Sequence, residues 1–479
     1  MRQGGELSEN TQMRVYVKGR RLDESVDSSG DGQDNGGDYL QTGFRLDAQP
    51  NDKQWWTLQG DLYRDDLSEQ HGVPNLDTDG ITDLIEVVNE DVDAIGGNLS
   101  SRWGMITGWD SELTARLSFD FYEHDDFKYS EDRQTVNLEL QHSFTPLKNH
   151  DLVWGGGYRG SKNKMDYSAL VYGGSDTAYS NIWNLFIQDT LNFPEYNINL
   201  TLGTKLEGYS YANTELQPNI RLSWLANEQL TWWASISRAM RTPSQWEQEF
   251  TLNYTIRETS LGTTLLKVVG NENFESEQLD AYEMGMRWMI MPELSVDIAT
   301  FYNNYNNLRS YNVNSITDGG SYYIVDLELN NNIKGHSKGV ELLTTWQVTR
   351  NSRFHFVYSF LDVNLEDTQE TAFSDSLLSM MTERSPTHQA SIWNSFNLSK
   401  SVELDSRLYY TSERTWDDDT IDAMVDADLR IGWQATKSLT LSIVGRNLLH
   451  ANSQQFQAEG WPSASYLERS IFIKGVLSW

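Results

Sequence analysis

From Ile198 the chain places Ile198, Leu200, Leu202, Thr204 and Leu206 on one parity and Asn199, Thr201, Lys205 and Glu207 on the other. Leu113, Ala115, Leu117, Phe119 and Phe121 alternate in the same way with Thr114, Arg116, Ser118 and Asp120. The pattern returns in TVNLELQHSF, ELSVDIATFYN, SVELDSRLYY and SLTLSIVGRN. A period of two is the mark of a strand with one apolar face. About twenty such stretches can be counted, each about 10 to 15 residues long, where soluble strands usually run to 5 or 6. A strand tilted by about 45° needs about 9 to 11 residues to cross the hydrocarbon of a bilayer.

The connections alternate in length. Tight turns such as QPNDKQ, TGWDSE, FPEYN, ANEQ, MPE, TRNSR, SKS and ATKS take turns with long polar segments at 23–37, 65–91, 161–180, 241–276, 308–334, 366–385 and 450–465. One end of every hairpin is therefore tight and the other elaborated. Outer-membrane barrels are built this way, with short periplasmic turns and long external loops. The expected fold is all-β: a large antiparallel transmembrane β-barrel that occupies residues 1–479 as one unit.

Composition fits this reading once the geometry of a barrel is considered. Mean hydropathy is negative, at −0.57, and no apolar run of membrane-helix length is present. In hydrocarbon every backbone N–H and C=O must be paired, so helices and closed barrels are the structures that cross. A barrel needs apolar side chains only on its outward face, which leaves most of the sequence free to be polar. Aromatic residues make up 12% of the chain and run from Trp55 to Trp479 without a break in composition that would divide it into domains. The formal charge of −32 excludes a nucleic-acid partner, whose phosphates demand a basic surface. There is no cysteine, hence no disulfide framework and no thiolate metal site.

Several stretches resemble the TonB-dependent outer-membrane receptors. SISRAMRTPSQWEQEF is similar to their S-R-A-x-R-T-P-S strand end, and GNENFESEQLDAYEMGMRW to their N-P-x-L-x-P-E-x-x-x-A-Y-E-x-G signature. Glu272, Phe274 and Ser276 depart from that signature, where the family has Pro, Leu and Pro. GHSKGVELLTTW and the closing pair VGRNLL and YLERSIFIKGVLSW complete the resemblance in family order. It implies about twenty strands of a 22-stranded barrel, with TQMRVYVKGRRL as the third strand and GELSEN before it as a turn. It also implies that signal peptide, TonB box and plug domain lie outside this sequence, so that TonB would act only through that missing N-terminal region. The expected location is the outer membrane of a Gram-negative bacterium, with outer-membrane lipid and the barrel-assembly machinery as partners.

By the same resemblance the function is transport of a bulky, scarce nutrient, most often a ferric siderophore, caught by the outer loops. Arg241, which shares the parity of Ser235 and Ser237, together with Trp246, Phe250, Tyr254, Trp416 and Trp461, are the expected ligand contacts. Aromatic rings offer stacking area, and Arg a charge-assisted grip on an anion. The competing expectation is that Arg241 pairs with acidic wall residues and the indoles pack among the loops. The alternating C-terminus, with Trp479, Leu477 and Ile473 on one parity, resembles the signal read during barrel assembly.

No catalytic constellation, metal-ligand spacing or cofactor motif is legible, and no enzyme activity is expected. His124 lies beside Glu123, Asp125 and Asp126, which reads as a solvated acidic rim. Two other readings compete. One is a passive porin without a plug. The other is a soluble carbohydrate-active β-propeller, which would show a repeat of about 40 to 50 residues; none is present.

Overall fold

The computed structural model describes all residues except 28, 77–83, 109, 370–373, 417–418, 455–460, 462–464 and 479. One 24-stranded sheet dominates it. Three of those strands, Val171–Tyr172, Thr251–Thr259 and Gly262–Val269, belong to loops; the remaining twenty-one form the wall. Every wall strand is antiparallel to its neighbours, and sequence neighbours are nearly always sheet neighbours. Among the described residues no helix is long and apolar enough to cross a membrane.

The packing is inverted relative to a soluble protein. Leu117, Leu138, Leu185, Ile236, Met284 and Ile443, from six different strands, are all more than half exposed on the outer surface. The buried apolar clusters lie instead in the long loops, among Val73, Met165, Leu170, Val171 and Phe250, and among Leu266, Val325 and Leu327. Burying apolar area drives folding, so the outer belt requires a hydrocarbon solvent. Its boundaries carry aromatic residues. Trp56, Trp224, Trp288, Trp346 and Trp433 are exposed within a few residues of short turns, and Tyr158, Trp183, Tyr282 and Tyr302 toward the long loops. Such girdles mark the two interfaces of a membrane barrel. Gly208 lets the outer aromatic row lie flat, because a Cβ there would collide with the Trp183 indole on the neighbouring strand.

Two expectations are corrected. GELSEN is a turn only at its end, Glu9 and Asn10: Arg2–Ser8 is a strand, paired with Thr11–Leu22 through contacts such as Gly4 with Arg14. Its exposed residues carry little apolar alternation, so the pairing comes from the partner rather than from its own pattern. The edge strands, Arg2–Ser8 and Ser470–Leu477, both run toward the short-turn end. At the other end the loops that adjoin these strands meet, since the Tyr466 N–H donates to the Val26 carbonyl at 2.9 Å.

The second correction concerns the long segments, much of which is strand. Gln54–Pro74 and Ile85–Gly108 pair as far as Pro74 with Ile85, and Leu294–Asp318 and Tyr323–Thr349 as far as Asp318 with Tyr323. Once the strands rise above the lipid neither face must be apolar, so the alternation fades while the backbone ladder continues.

Candidate functional site

The tall hairpins build a mouth at the long-loop end. Gly262–Val269 pairs in parallel with the top of Tyr323–Thr349, from Thr264 with Tyr323 to Val269 with Glu328. Thr251–Thr259 pairs on its other side, and Val171–Tyr172 pairs with Leu252 and Thr251. Val171 follows the wall strand His150–Tyr167, several strands around the wall from Tyr323–Thr349. This small sheet therefore forms a chord between two distant parts of the rim.

An aromatic core fastens the chord. Trp246 stacks on Phe250 with ring centroids 4.1 Å apart, Tyr129 meets Trp246 edge-on at 5.2 Å, and Tyr167 meets Phe250 edge-on at 5.5 Å. Val73, Met165 and Val171 fill the space beneath, and Phe127 and Trp461 close its sides. The rings arrive from four separate chain segments, so sequence proximity alone could not assemble them.

The short helix Gln245–Glu249 orients Trp246. Its start is written locally: Ser244 caps the helix by accepting from the Glu247 N–H, and the Glu247 carboxylate accepts from the Ser244 N–H at 2.9 Å, a complete capping box. Glu247 also receives both terminal nitrogens of Arg241, at 2.8 and 3.1 Å. The Arg241 Nε donates to Glu277 at 2.6 Å, across a cross-strand pair of the wall. Arg241 and Glu277 thus join the two sequence motifs that carried the family resemblance. Burial would push the Glu247 carboxyl up, but the Arg241 hydrogen bonds prevail and hold it below the usual carboxylate range. The Arg241 guanidinium is raised, chiefly by its hydrogen bond to Glu277.

A second charged tie holds the hairpin tip Asp126–Lys128 against the strand Gln54–Pro74. Lys128 lies 2.8 Å from Asp126 and 3.6 Å from Glu69, and the nearly buried His71 contacts Glu69 at 2.7 Å. Glu69 is lowered, first by its hydrogen bond from His71 and further by Lys128 against an opposing burial penalty. Among the described residues no three His, Asp or Glu side chains converge into a metal site.

Around these ties runs a phenol-rich surface. Tyr209 meets Tyr211 edge-on at 5.5 Å, and Tyr122 lies beside His124, which in turn contacts Tyr129. Burial is the leading cause that pushes the Tyr129, Tyr167 and Tyr211 hydroxyls up to about 12, with Glu131 adding at Tyr129 and Glu249 at Tyr211. These phenols are neutral hydrogen-bonding groups at physiological pH. Lower in the lumen a groove of about 800 Å³ is lined by Arg45, Trp55, Arg102, Arg116, Phe186 and Lys205, with Arg102 over the Trp55 ring at 5.0 Å.

Of the residues expected from sequence, Trp246, Phe250 and Trp461 meet in one core, and Arg241 lies at its base. Tyr254 joins through its backbone carbonyl, which accepts from Trp461. Trp416 ends a separate short strand, Arg414–Trp416, paired with Asp419–Ile421. Ile473 and Leu477 sit on the last strand opposite Ile443 and Leu439, both strongly exposed, and Trp479 lies outside the described residues. Sequence reasoning missed Tyr129, Tyr209, Tyr211 and Arg133, which no motif marks.

Residues 3–448 match the family described as TonB dependent receptor-like, beta-barrel. Among solved structures, the chain is similar to the ferric enterobactin receptor of Pseudomonas aeruginosa at 14% identity and a TM-score of 0.76, covering 99% of this chain and 76% of that one. It is equally similar to the siderophore receptor PirA of Acinetobacter baumannii, with the same identity, TM-score and coverage. The outer membrane transporter YddB of Escherichia coli matches at 12% identity and a TM-score of 0.70, over 99% of this chain and 74% of that one. At such identities the likeness is one of fold. No curated protein sequence matches.

Proposed function

The chain belongs to the TonB-dependent receptor β-barrels, and from that premise we propose that its task in outer-membrane transport is the uptake of a ferric siderophore or a similarly bulky chelate from outside a Gram-negative cell. Residues 1–479 are the barrel domain in this reading, and TonB acts through a plug region that these residues do not supply. Two solved structures of the ferric enterobactin receptor of Pseudomonas aeruginosa hold enterobactin, which supports a siderophore-sized ligand, whatever its charge, as the cargo. The observation that carries the proposal is the aromatic mouth: Trp246, Tyr129, Tyr209 and Tyr211 converge above a wide polar lumen. Flat rings and neutral phenols suit a large, rigid ligand with aromatic or amide edges. Trp246, Phe250, Tyr254, Trp416 and Trp461 are assigned to shaping or touching that ligand, and Ile473, Leu477 and Trp479 to recognition during barrel assembly.

The test is direct binding. Protein in detergent micelles is titrated with ferric catecholate, hydroxamate and carboxylate chelates while indole emission is followed. Saturable quenching by at least one class, at micromolar concentration or below, is the expected result. Failure of every class to bind overturns the proposal.

A further inference from the structure

We propose that the mouth selects chelates of zero or positive net charge and turns away polyanionic ones; this rests on the transport reading above and adds to it the charge class of the ligand. The first ground is the distribution of charge. Segments 65–76 and 84–93, which form the upper part of the tall hairpin beside the aromatic core, have seven Asp and Glu and no Lys or Arg. The neighbouring loop 23–38 has six acids and no base. Field lines from such a rim raise the local concentration of cations and lower that of anions before any contact is made.

The second ground is that the bases bordering the aromatic surface are already engaged. Lys128 is held by Asp126 and Glu69, Arg133 by Glu131, Arg241 by Glu247 and Glu277, and Lys267 by Asp326 at 3.4 Å. An anion could use one of these cations only by displacing its carboxylate, which would then stand uncompensated beside the ligand. Arg159 and Arg257 show no such partner among the described residues, but Arg159 lies on the wall strand His150–Tyr167 and Arg257 is exposed on the chord strand Thr251–Thr259.

The third ground is what the surface does offer. Ring faces attract cations, and phenols donate to neutral carbonyl oxygens. A ferric ion held by three catecholates is a trianion, whereas three hydroxamates give a neutral complex and a pendant ammonium makes it a monocation. The rim and the surface favour the latter two.

The experiment compares these three chelates on the intact chain in detergent micelles, by indole quenching at low and at physiological ionic strength. The monocation and the neutral complex are expected to bind at least about tenfold tighter than the trianion at low salt. Added salt should weaken the monocation and strengthen the trianion, because it screens attraction in one case and repulsion in the other. Glu249→Gln, next to Tyr167 and Tyr211, should narrow the preference by about threefold, and Glu249→Asp should retain it. The trianion binding tightest, or all three binding equally with no salt dependence, overturns the charge assignment and leaves the transport reading standing. Should none of them bind saturably, both fall together. The salt response of the unsubstituted protein decides the question even where a variant does not fold.

Discussion

The indole Nε1 of Trp461 donates a 2.7 Å hydrogen bond to the backbone carbonyl of Tyr254, 207 positions earlier in the chain. The Trp461 carbonyl accepts in turn from the Gly72 N–H at 2.7 Å. One residue of the last loop therefore fastens two hairpins from distant parts of the rim. Trp461→Ala should loosen the mouth by about 2 to 3 kcal/mol, through lost packing and an unpaired carbonyl. Trp461→Phe, which keeps most of the packing and loses the donor, should cost about 1 kcal/mol. Hydrogen exchange at the Gly72 amide reads both effects. Unchanged protection in the Ala variant would show that the contact does not hold the loops.

The clamp at Glu247 makes the mouth sensitive to acid. Its folded-state pKa is lowered, so its contribution to stability is complete above the unfolded value near 4.3 and is lost as pH falls through the folded value. Glu69 is lowered as well and adds to the loss in the same window. Above about pH 5 no change is expected. Below it, Trp246 should lose its ordered environment before the wall unfolds, because the wall rests on a continuous backbone ladder. Emission of Trp246, with other loop indoles replaced, tests the order of events. In Glu247→Gln the acid step should shrink and basal loop stability should fall by about 1 to 2 kcal/mol.

Neighbouring positions of one wall strand should respond in opposite ways to charge. Leu185 is exposed on the outer belt, while Asn184 lines the lumenal groove. Leu185→Arg places a guanidinium in hydrocarbon, at a cost of about 2 to 4 kcal/mol depending on depth. Asn184→Arg faces water and should cost less than about 1 kcal/mol. Urea unfolding from lipid vesicles measures the difference. Equal penalties would contradict the assignment of inner and outer faces.

Much of this architecture is legible from parity alone, because a lipid-facing wall imposes a strict period of two. Ile198–Tyr209 is such a case: its apolar residues were assigned to one face, and the strand pairs in register on both sides. Legibility ends where the lipid ends. Val87, Asn89 and Asp91 lie in a paired strand, yet nothing in their order distinguishes strand from polar loop. Arg2–Ser8 was missed because its glycines carry no pattern and its pairing is supplied by Thr11–Leu22. At the site, the capping box of Ser244 and Glu247 is local and readable, whereas Glu277 reaches Arg241 only through strand pairing. Tyr129, Tyr209 and Arg133 have no local signature, and only the fold brings them near Trp246 and Glu247.

Arg241 offers the sharpest separation between a ligand contact and a structural tie. It is held by Glu247 and Glu277, so Arg241→Ala removes one cation and leaves two carboxylates facing each other at the base of the aromatic core. Repulsion between them should displace the helix Gln245–Glu249 and weaken chelate binding at least about tenfold, whatever the ligand's charge. The triple variant Arg241→Gln, Glu247→Gln, Glu277→Gln removes both carboxylates together with Arg241, leaving Arg309 as the one neighbouring charge of this cluster, and its amides can still hydrogen-bond to one another. If Arg241 acts by ordering the loop, the triple variant should recover most of the binding lost in Arg241→Ala and protect from exchange the Asn271 amide, which donates to the backbone carbonyl of residue 247 at 2.9 Å. If Arg241 touches an anionic ligand, binding stays weak in both while loop order returns in the triple variant. Measuring affinity and exchange on the same samples separates the two roles, since only a direct contact makes them diverge.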